Sequence, residues 1–539
     1  MLWKLFRTPV LTAKSQFIRT YTTPPLWRTL EQGEEVPIEE ADLYQYQRYR
    51  WLTKDAEQLV ARYRKFRLPA LIDAAIGVAG SDASNCIKVL KCIEGQYNKS
   101  LILSMDNGQE VVARLPSPNA GPKLYTTASE VATRQFLRDR LAIPVPRIYA
   151  WSADETNAVG AEYILEEKAS GQPLGLLWSD LPFSARSHIV DQVVDIERRL
   201  SSVTFPRHGC IYLQSDLGSR PEHPSLHPIQ SPDGDSRSAF VLGPLTHPRY
   251  WHRPTGQARL NLQRGPFKNM TEYAGAIAGN EIQWAQTHAQ LRMNVRRSEE
   301  QPETADEYVA LLERYIELVP YLVREPEDRE SPSQLLHPDL HLDNIFVDPS
   351  TNDITAVIDW QHAAALPVDL HPLFPQMLEP TTAGTGEGDD SLRQIYLTKL
   401  KGLNLRRWEA LTEPYHKLRT DPTRLVPGCW GRNDLFSLRH AMIAVVAQWD
   451  NVCTSGIKCP INFSQRELEQ HEEEMELMAG VSLVLRQLQE QGLLPLGGMV
   501  LREQYDDAQK LNQHFRNEFI ALGQDAKQRE MLARLWPYS

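Results

Sequence analysis

Residues 335–360 read LLHPDLHLDNIFVDPSTNDITAVIDW, and this stretch decides the fold. The run 345–347 is short and β-prone, a cluster of turn residues follows it, and 354–358 is a second apolar run. Two short strands joined by this turn would fold the chain back on itself. We therefore expect Asp359, which follows the second strand, to lie beside the loop that holds Asn344.

The polar side chains of this stretch have the types that phosphoryl transfer requires. That reaction uses a carboxylate to orient the attacking hydroxyl, and oxygen ligands to hold Mg²⁺ on the triphosphate. Asp339 is the candidate base, and Asn344 and Asp359 are the candidate metal ligands. His337 is expected to brace the loop through a hydrogen bond and not to react.

Two other interpretations of these residues remain open. Asp and Asn residues in turns commonly do no more than turn the chain. Alternatively, His337, Asp339, His341, Asp343 and His362 have the ligand types of a metal hydrolase, because alternate residues of a strand share one face.

Composition limits the classes of protein that need to be considered. The chain has 539 residues, 42% of them apolar, which is enough for a two-lobed fold or two domains, with tails and a sizeable core. The net charge of −11 gives no electrostatic case for a nucleic-acid partner. Six cysteines without a CxxC pair argue against a zinc ribbon and a secreted disulfide scaffold. No apolar run reaches the roughly 20 residues of a membrane-spanning helix, so no integral membrane segment is expected.

The N-terminal segment is typical of a mitochondrial transit peptide. Residues 1–30 contain five Lys and Arg residues and no acid before Glu31, and their apolar residues recur at helical spacing. We expect import into mitochondria, most simply into the matrix, with cleavage after Tyr21. A disordered basic tail is the alternative. Residues 31–40 are polar and acidic, and they are interpreted as a linker.

The next part of the chain predicts a small antiparallel sheet with one helix. Three strands are expected at 86–93, 100–105 and 110–115, with a tight turn at Asn107-Gly108 between the last two. A helix is expected at 126–141. A further strand at 161–166 ends in a short polar turn with a glycine, 167–171.

Beyond this turn the chain is mainly helical by its apolar periodicity. A stretch rich in Pro, Ser, Gly and His, 214–238, predicts an exposed loop, and 381–391 predicts an acidic mobile loop. Thr304 begins a helix as its N-cap residue. The remaining helices are expected at 433–450, 464–491 and 502–535.

The motifs together resemble the aminoglycoside phosphotransferase family. They are Gly95-x-x-Asn98-Lys99, the strand ending at Arg114, Glu130, His337-x-Asp339-x-x-x-x-Asn344 and Ile358-Asp359-Trp360. With its basic N-terminus and C-terminal helices, the chain looks like a fungal mitochondrial group of that family. The resemblance implies an α+β, two-lobed, protein-kinase-like fold with a small antiparallel-sheet lobe and a larger, mostly helical lobe. It also implies ATP and Mg²⁺ as cofactors.

The resemblance implies roles for further residues. Asn98 and Lys99 belong to the lid over the nucleotide, and Arg114 takes the place of the cation that holds the phosphates. Glu130 is expected to pair with Arg114 and fix its direction. Glu166 ends the strand at the hinge, where backbone groups meet adenine.

The implied organisation has four parts. They are a leader and linker at 1–40, an N-terminal lobe at 41–168, a C-terminal lobe at 169–500 with the insertion 214–238, and a helical tail at 501–539 that packs back or binds a partner. The implied activity is transfer of the γ-phosphate of ATP to an unknown small-molecule acceptor. Because Arg and Lys are not interchangeable, Arg114 keeps a second hypothesis open, a nucleotide-binding mitochondrial scaffold without turnover.

Overall fold

The computed structural model describes residues 23–217, 226–229, 239–251, 262–292, 302–323, 333–372, 374–379, 387–453 and 456–538. Its strands are β1 (Leu26–Thr29), β2 (Glu35–Pro37), β3 (Tyr49–Trp51), β4 (Cys86–Lys91), β5 (Asn98–Met105), β6 (Glu110–Pro116), β7 (Ile148–Ser152), β8 (Tyr163–Glu167), β9 (Gln172–Pro173), β10 (Cys210–Leu213), β11 (His227–Pro228), β12 (Phe240–Gly243), β13 (Gln334–Leu335), β14 (Ile345–Val347), β15 (Ile354–Val357), β16 (Ala365–Leu366) and β17 (Met499–Leu501).

The α-helices within the same ranges are α1 (Glu40–Tyr44), α2 (Asp55–Ala61), α3 (Leu68–Ile76), α4 (Tyr125–Leu141), α5 (Phe183–Ser201), α6 (Gln214–Leu217), α7 (Met270–His288), α8 (Ala305–Leu322), α9 (Glu387–Leu403), α10 (Leu405–Thr412), α11 (His416–Leu425), α12 (Leu435–Ala447), α13 (Trp449–Val452), α14 (Gln465–Glu490), α15 (Tyr505–Ala521) and α16 (Ala526–Leu535). None of the described helices combines the length and the apolar character needed to cross a bilayer.

The N-terminal lobe is a seven-stranded sheet in the order β2-β1-β4-β5-β6-β8-β7. Neighbouring strands are antiparallel except β1 and β4, which run parallel. Alternate residues of β5 and β6, such as Leu101, Leu103 and Ala113, are fully buried in one core with α3. The opposite face of these strands carries Arg114 and meets α4. The sheet and the larger helical part confirm the predicted two-lobed α+β fold.

The sheet begins earlier than the sequence suggested. Residues 26–37, which fall in the predicted leader and linker, form β1 and β2, and β1 adds to the edge of β4. The linker interpretation is therefore wrong for these residues. Strands of three and four residues are too short to show a periodicity, and parallel pairing with a strand some 60 residues away leaves no local signal. Residues 1–22, which carry the predicted transit peptide, lie outside the described residues.

The two lobes are joined where β8 ends. Gly171 has φ +87°, and a Cβ atom there would lie 2.4 Å from the carbonyl oxygen of Val347. Only glycine tolerates both the left-handed backbone and this close approach. The approach lets β9 pair with β14, so the connection between the lobes lies directly against the hairpin of β14 and β15.

Other expectations differ in detail from the structure. Of the predicted acidic loop 381–391, residues 387–391 begin α9, and 381–386 lie outside the described residues. In the predicted exposed loop 214–238, residues 214–217 form α6 and 227–228 form β11, while most of the rest is not described.

The predicted helices near 435 and 465 are present as α12 to α14. Thr304 is the N-cap of α8, and its side chain accepts a hydrogen bond from the backbone N–H of Glu307.

The C-terminal tail returns to the N-terminal lobe. The first half of α14 contacts the larger lobe, where Glu474 bonds to Arg439 at 3.1 Å. The second half packs against a cluster that includes Leu52, Val500 and Trp536. β17 then pairs with β3, so α14 and the tail form a second connection between the lobes besides the hinge.

Candidate active site

Residues 345–357 form the hairpin that the sequence predicts. β14 and β15 are antiparallel, with Ile345 opposite Val357, and β9 extends the sheet. The backbone N–H of Ile358 donates to the carbonyl oxygen of Asn344 at 2.9 Å. Asp359, one residue further, is thereby held next to Asn344.

His337 connects the loop to the end of β15. Its Nε2 donates to the carbonyl oxygen of Ile358 at 2.8 Å, and its Nδ1 accepts from the backbone N–H of Asp339 at 3.1 Å. This pair of bonds requires the neutral imidazole with its proton on Nε2. Burial also lowers the pKa of His337, which favours the neutral form. These are bracing contacts, and both ring nitrogens are occupied.

Asp339 and Asn344 differ in exposure, and the difference suits different roles. The Asp339 side chain is 69% exposed, and Nε2 of His341 lies 3.8 Å from its Oδ2. Asn344 is buried, and its Nδ2 donates to the carbonyl oxygen of Asp339 at 3.0 Å. This bond fixes the amide so that Oδ1 points the other way. No hydrogen bond to Asn344 Oδ1 is found within the described residues.

Arg114 links the two lobes across the cleft. One of its Nη atoms bonds to Glu130 on α4, and the other donates to Asp359 Oδ1 at 3.0 Å. Burial opposes the charge of the guanidinium, but Glu130, Glu166 and Asp359 together raise the pKa of Arg114. Arg114 is therefore cationic, and it lies at the centre of the predicted site.

A second arginine extends this pairing into the N-terminal lobe. Arg134, one helical turn after Glu130, bonds to Glu166, and its Nη2 donates to the carbonyl oxygen of Pro146 at 3.0 Å. Charges therefore alternate from Asp359 through Arg114, Glu130 and Arg134 to Glu166. The sequence analysis missed Arg134, although a Glu followed four residues later by an Arg on a helix is a recognisable signal. The Glu166 side chain is engaged by Arg134.

The structure does not bring Lys99 to this site. Its side chain is buried on the other face of the sheet, where Nζ donates to Glu94 Oε1 at 2.8 Å and to the carbonyl oxygen of Gln45 at 2.9 Å. Burial lowers the pKa of Lys99. Lys99 lies on the face of Leu101, whereas Asn98 and Arg114 lie on the other, because side chains alternate along a strand.

Asn98 reaches the catalytic stretch through a residue that sequence reasoning missed. Its Nδ2 donates to Gln361 Oε1 at 2.8 Å, and Gln361 is buried two residues after Asp359. Asn98 begins β5, so this bond connects the start of β5 to the segment that follows Asp359. A glutamine at this position carries no sequence signal without its spatial partner.

The structure does not support the interpretation of these residues as a metal-hydrolase site. Both nitrogens of His337 are bonded to backbone groups, and His362 Nδ1 lies 3.0 Å from Thr246 Oγ1. Within the described ranges, no three His, Cys, Asp or Glu side chains are grouped in a way that could hold a metal ion. The five residues of that interpretation do not converge.

Asn344 and Asp359 fit a magnesium ion bound to a nucleotide. Asp359 is 37% exposed at its side chain, and only Oδ1 is engaged by Arg114 among the described residues. One amide oxygen and one carboxylate oxygen thus remain for a metal on adjacent backbone segments. Magnesium bound through few protein oxygens, with phosphate and water completing its shell, is the common arrangement in kinases. Asp359 has φ +61°, a conformation that Asp tolerates better than most residues.

The chain resembles proteins of one family over most of its length. The sequence profile of the phosphotransferase enzyme family (APH) matches residues 91–368, just over half of the chain. A subtelomeric hrmA-associated cluster protein of Aspergillus fumigatus is 30% identical over 511 residues, which cover 84% of this chain and 97% of that protein. The mitochondrial protein altered inheritance of mitochondria protein 9 of Clavispora lusitaniae is 23% identical over 446 residues, covering 74% of this chain and 72% of that protein.

Solved structures of phosphotransferases are also similar. One is a thermostable mutant of the aminoglycoside phosphotransferase APH(4)-Ia in complex with AMP-PNP and hygromycin B, 13% identical, with a TM-score of 0.36 over 69% of this chain and 96% of that chain. Another is the macrolide 2'-phosphotransferase MphH of Brachybacterium faecium, 15% identical, with a TM-score of 0.34 over 70% and 97% of the two chains. The family resemblance seen in the sequence motifs is confirmed by the profile, which includes every site residue from Asn98 to Asp359. The chain therefore belongs to the phosphotransferase enzyme family.

Proposed function

We propose that the protein transfers the γ-phosphate of ATP to a small-molecule hydroxyl group. The observation that carries this proposal is the position of Arg114, which contacts Glu130 in one lobe and Asp359 in the other. A cation held in this way faces the place where the phosphates of a nucleotide would lie between the lobes. Phosphoryl transfer depends mainly on such positioning and on charge stabilisation.

The remaining residues of the site would have different roles in the reaction, according to their exposure. Asp339, the exposed carboxylate, would accept the proton of the acceptor hydroxyl, and His337 would hold its loop in place. Asn344 and Asp359 would hold Mg²⁺, which supplies positive charge to the triphosphate. Glu130 would direct Arg114 at the phosphates, and Glu166 would act through Arg134, as a positioning residue without nucleotide contact.

We also propose that the protein works in mitochondria, in the matrix. The basic, acid-free N-terminal segment supports this location, as does the mitochondrial name of relatives at 22–23% identity. Import of the radiolabelled chain into isolated mitochondria, with shortening near Tyr21, is the expected result. A chain that stays protease-accessible outside the organelle would contradict it.

Turnover and nucleotide binding can be tested separately with three variants. The full chain is incubated with γ-labelled ATP and a small-molecule extract of mitochondria, and AMP-PNP affinity is titrated with and without Mg²⁺. Asp339→Asn should lower formation of labelled product about 100-fold or more, the usual contribution of a positioned base, with affinity unchanged. Asp359→Ala should lose the Mg²⁺-dependent part of the affinity. The matched control is Asp343→Asn, because Asp343 is equally exposed and has no proposed role.

The outcome also decides between the two hypotheses kept open by Arg114. A wild-type chain that binds AMP-PNP with Mg²⁺ but labels nothing in the extract would be a nucleotide-binding protein without turnover. Equal labelling by wild type and Asp339→Asn would remove Asp339 from the proposed mechanism.

A further inference from the structure

One segment of the chain has a charge opposite to that of the whole. Residues 236–271 contain six Lys and Arg residues and no Asp or Glu, whereas the full chain has a net charge of −11. The structure describes two parts of this segment, 239–251 and 262–271. A uniform sign of charge over 36 residues in an acidic chain indicates a local electrostatic role.

The described part of this segment lies beside the metal-binding residues. Thr246 Oγ1 lies 3.0 Å from Nδ1 of His362, three residues after Asp359. The rings of His247 and His362 are 5.3 Å apart, and the ring of Tyr97, next to Asn98 at the start of β5, is 6.5 Å from His362. The basic segment thus borders the cleft near the end of the lid.

Two arginines supply the charge at this border. Arg249 and Arg432 lie on adjoining segments, since a Cβ atom on Gly428 would lie 3.0 Å from the carbonyl oxygen of Arg249 and 3.3 Å from Nη1 of Arg432. Arg432 donates to the carbonyl oxygens of Leu425 and Pro427, and its nearest carboxylate, that of Asp434, is 3.9 Å away. We call His247, Arg249, His362 and Arg432 the basic patch.

Of the two arginines, Arg249 has no carboxylate within 4 Å among the described residues, whereas Arg432 has Asp434. Arg249 is half-buried, its guanidinium lies 5.3 Å from the centroid of the Tyr250 ring, and its Nε has no hydrogen-bond partner among the described residues. Burial, together with the neighbouring Arg249, His362 and Arg432, lowers the pKa of His247 to about 2. Burial also lowers the pKa of His362 to about 4. Both histidines are therefore neutral at pH 7, and the two arginines carry the positive charge.

We infer that the basic patch binds an anionic group, a carboxylate or a phosphate, on the molecule that accepts the phosphoryl group. This inference rests on the proposed function, because it assigns the acceptor half of the same cleft. An arginine without a protein acid can hold a carboxylate or a phosphate bidentately, and little desolvation remains to be overcome for a half-buried one. The competing outcome is a cationic acceptor, attracted by the acidic residues of 381–391.

Anion binding can be measured with the nucleotide site filled. The full chain is saturated with AMP-PNP and Mg²⁺ and then titrated calorimetrically with inorganic phosphate in one arm and succinate in the other. Wild type should bind at least one anion, phosphate or carboxylate according to the natural acceptor. Arg249→Gln should weaken that binding at least tenfold, and Arg249→Lys should restore part of it. Arg198→Gln, which removes an exposed arginine of α5, is the matched control and should bind as wild type does.

The results separate this inference from the proposed function. Failure to bind AMP-PNP in the first titration defeats both. Normal binding of AMP-PNP with no binding of either anion, or anion binding of equal strength in wild type and Arg249→Gln, overturns the inference and leaves the phosphotransferase intact. Binding of spermidine instead, strengthened by Arg249→Gln, would assign a cationic acceptor.

Discussion

Arg114 and Glu130 form a nearly buried ion pair between β6 and α4. Glu130 is 3% exposed, so Arg114 provides most of the compensation for a buried carboxylate, with Arg134 3.7 Å away. Removing one partner of such a pair typically costs 3–5 kcal/mol, because the other charge stays buried. We expect Arg114→Met to lower the free energy of unfolding by about 3 kcal/mol, measured by urea denaturation.

Two control variants test the physical reason for this loss. Arg114→Met combined with Glu130→Leu should recover much of the stability, since no uncompensated charge remains. Arg198→Met, which breaks an exposed pair with Asp195, should cost less than about 1 kcal/mol. A double variant as unstable as the single one would contradict this explanation.

Individual residues show what the sequence could and could not predict about the site. Asp339, Asn344 and Asp359 come together because they lie on one local hairpin, whose strands and turn are visible in the sequence. Lys99 was assigned to the lid by motif alone, although its alternation with Asn98 already places it on the opposite face of β5. Gln361 could not be predicted, since its partner is about 260 residues away.

At the level of elements, the length of a strand decides whether the sequence predicts it. β5 and β6 have seven or eight residues with clear alternation, and the sequence predicts them closely. β1, β2, β3 and β17 have three or four residues each, and the pairings of β1 with β4 and of β3 with β17 join segments distant in sequence. The pairing of β3 with β17 joins residues some 450 positions apart, and no local pattern encodes it.

At the level of elements, Trp536 lies in the cluster through which the C-terminal tail packs on Leu52. It is 1% exposed, packs on Phe519 with ring centroids 5.4 Å apart, and its Nε1 donates to Asn512 Oδ1 at 2.7 Å. Truncating a buried tryptophan typically costs 3–5 kcal/mol. We expect Trp536→Ala to release β17, so that the amides of β3 lose protection in hydrogen exchange while those of β5 keep theirs.

The matched control for this prediction is Leu522→Ala. Leu522 follows α15 and is 70% exposed, so its truncation should leave the exchange of β3 unchanged. Protection of β3 that survives Trp536→Ala would mean that the tail does not depend on this tryptophan for its attachment.

At the scale of the whole molecule, buried histidines set the response to acid. Burial lowers the pKa of His208 to about 4, and that of His371 to about 3, against about 6.5 in the unfolded chain. Between these values the unfolded state binds more protons than the folded state, so stability rises with pH and is fully present above pH 6.5. The contribution of each histidine is lost as pH falls from 6.5, towards 4 for His208 and towards 3 for His371.

The pKa values of the buried histidines predict how much stability is lost on acidification. Lowering the pH from 7 to 5 should reduce the free energy of unfolding by about 2 kcal/mol for each such histidine, because protonation of the unfolded state is almost complete at pH 5. Urea denaturation at the two pH values measures the difference. His371→Gln should shrink that difference by about 2 kcal/mol, whatever it does to the stability at pH 7. Leu522→Ala removes an exposed side chain that does not titrate and should leave the difference unchanged. If His371→Gln also leaves it unchanged, the ring of His371 is not kept neutral by burial, and the acid sensitivity has another origin.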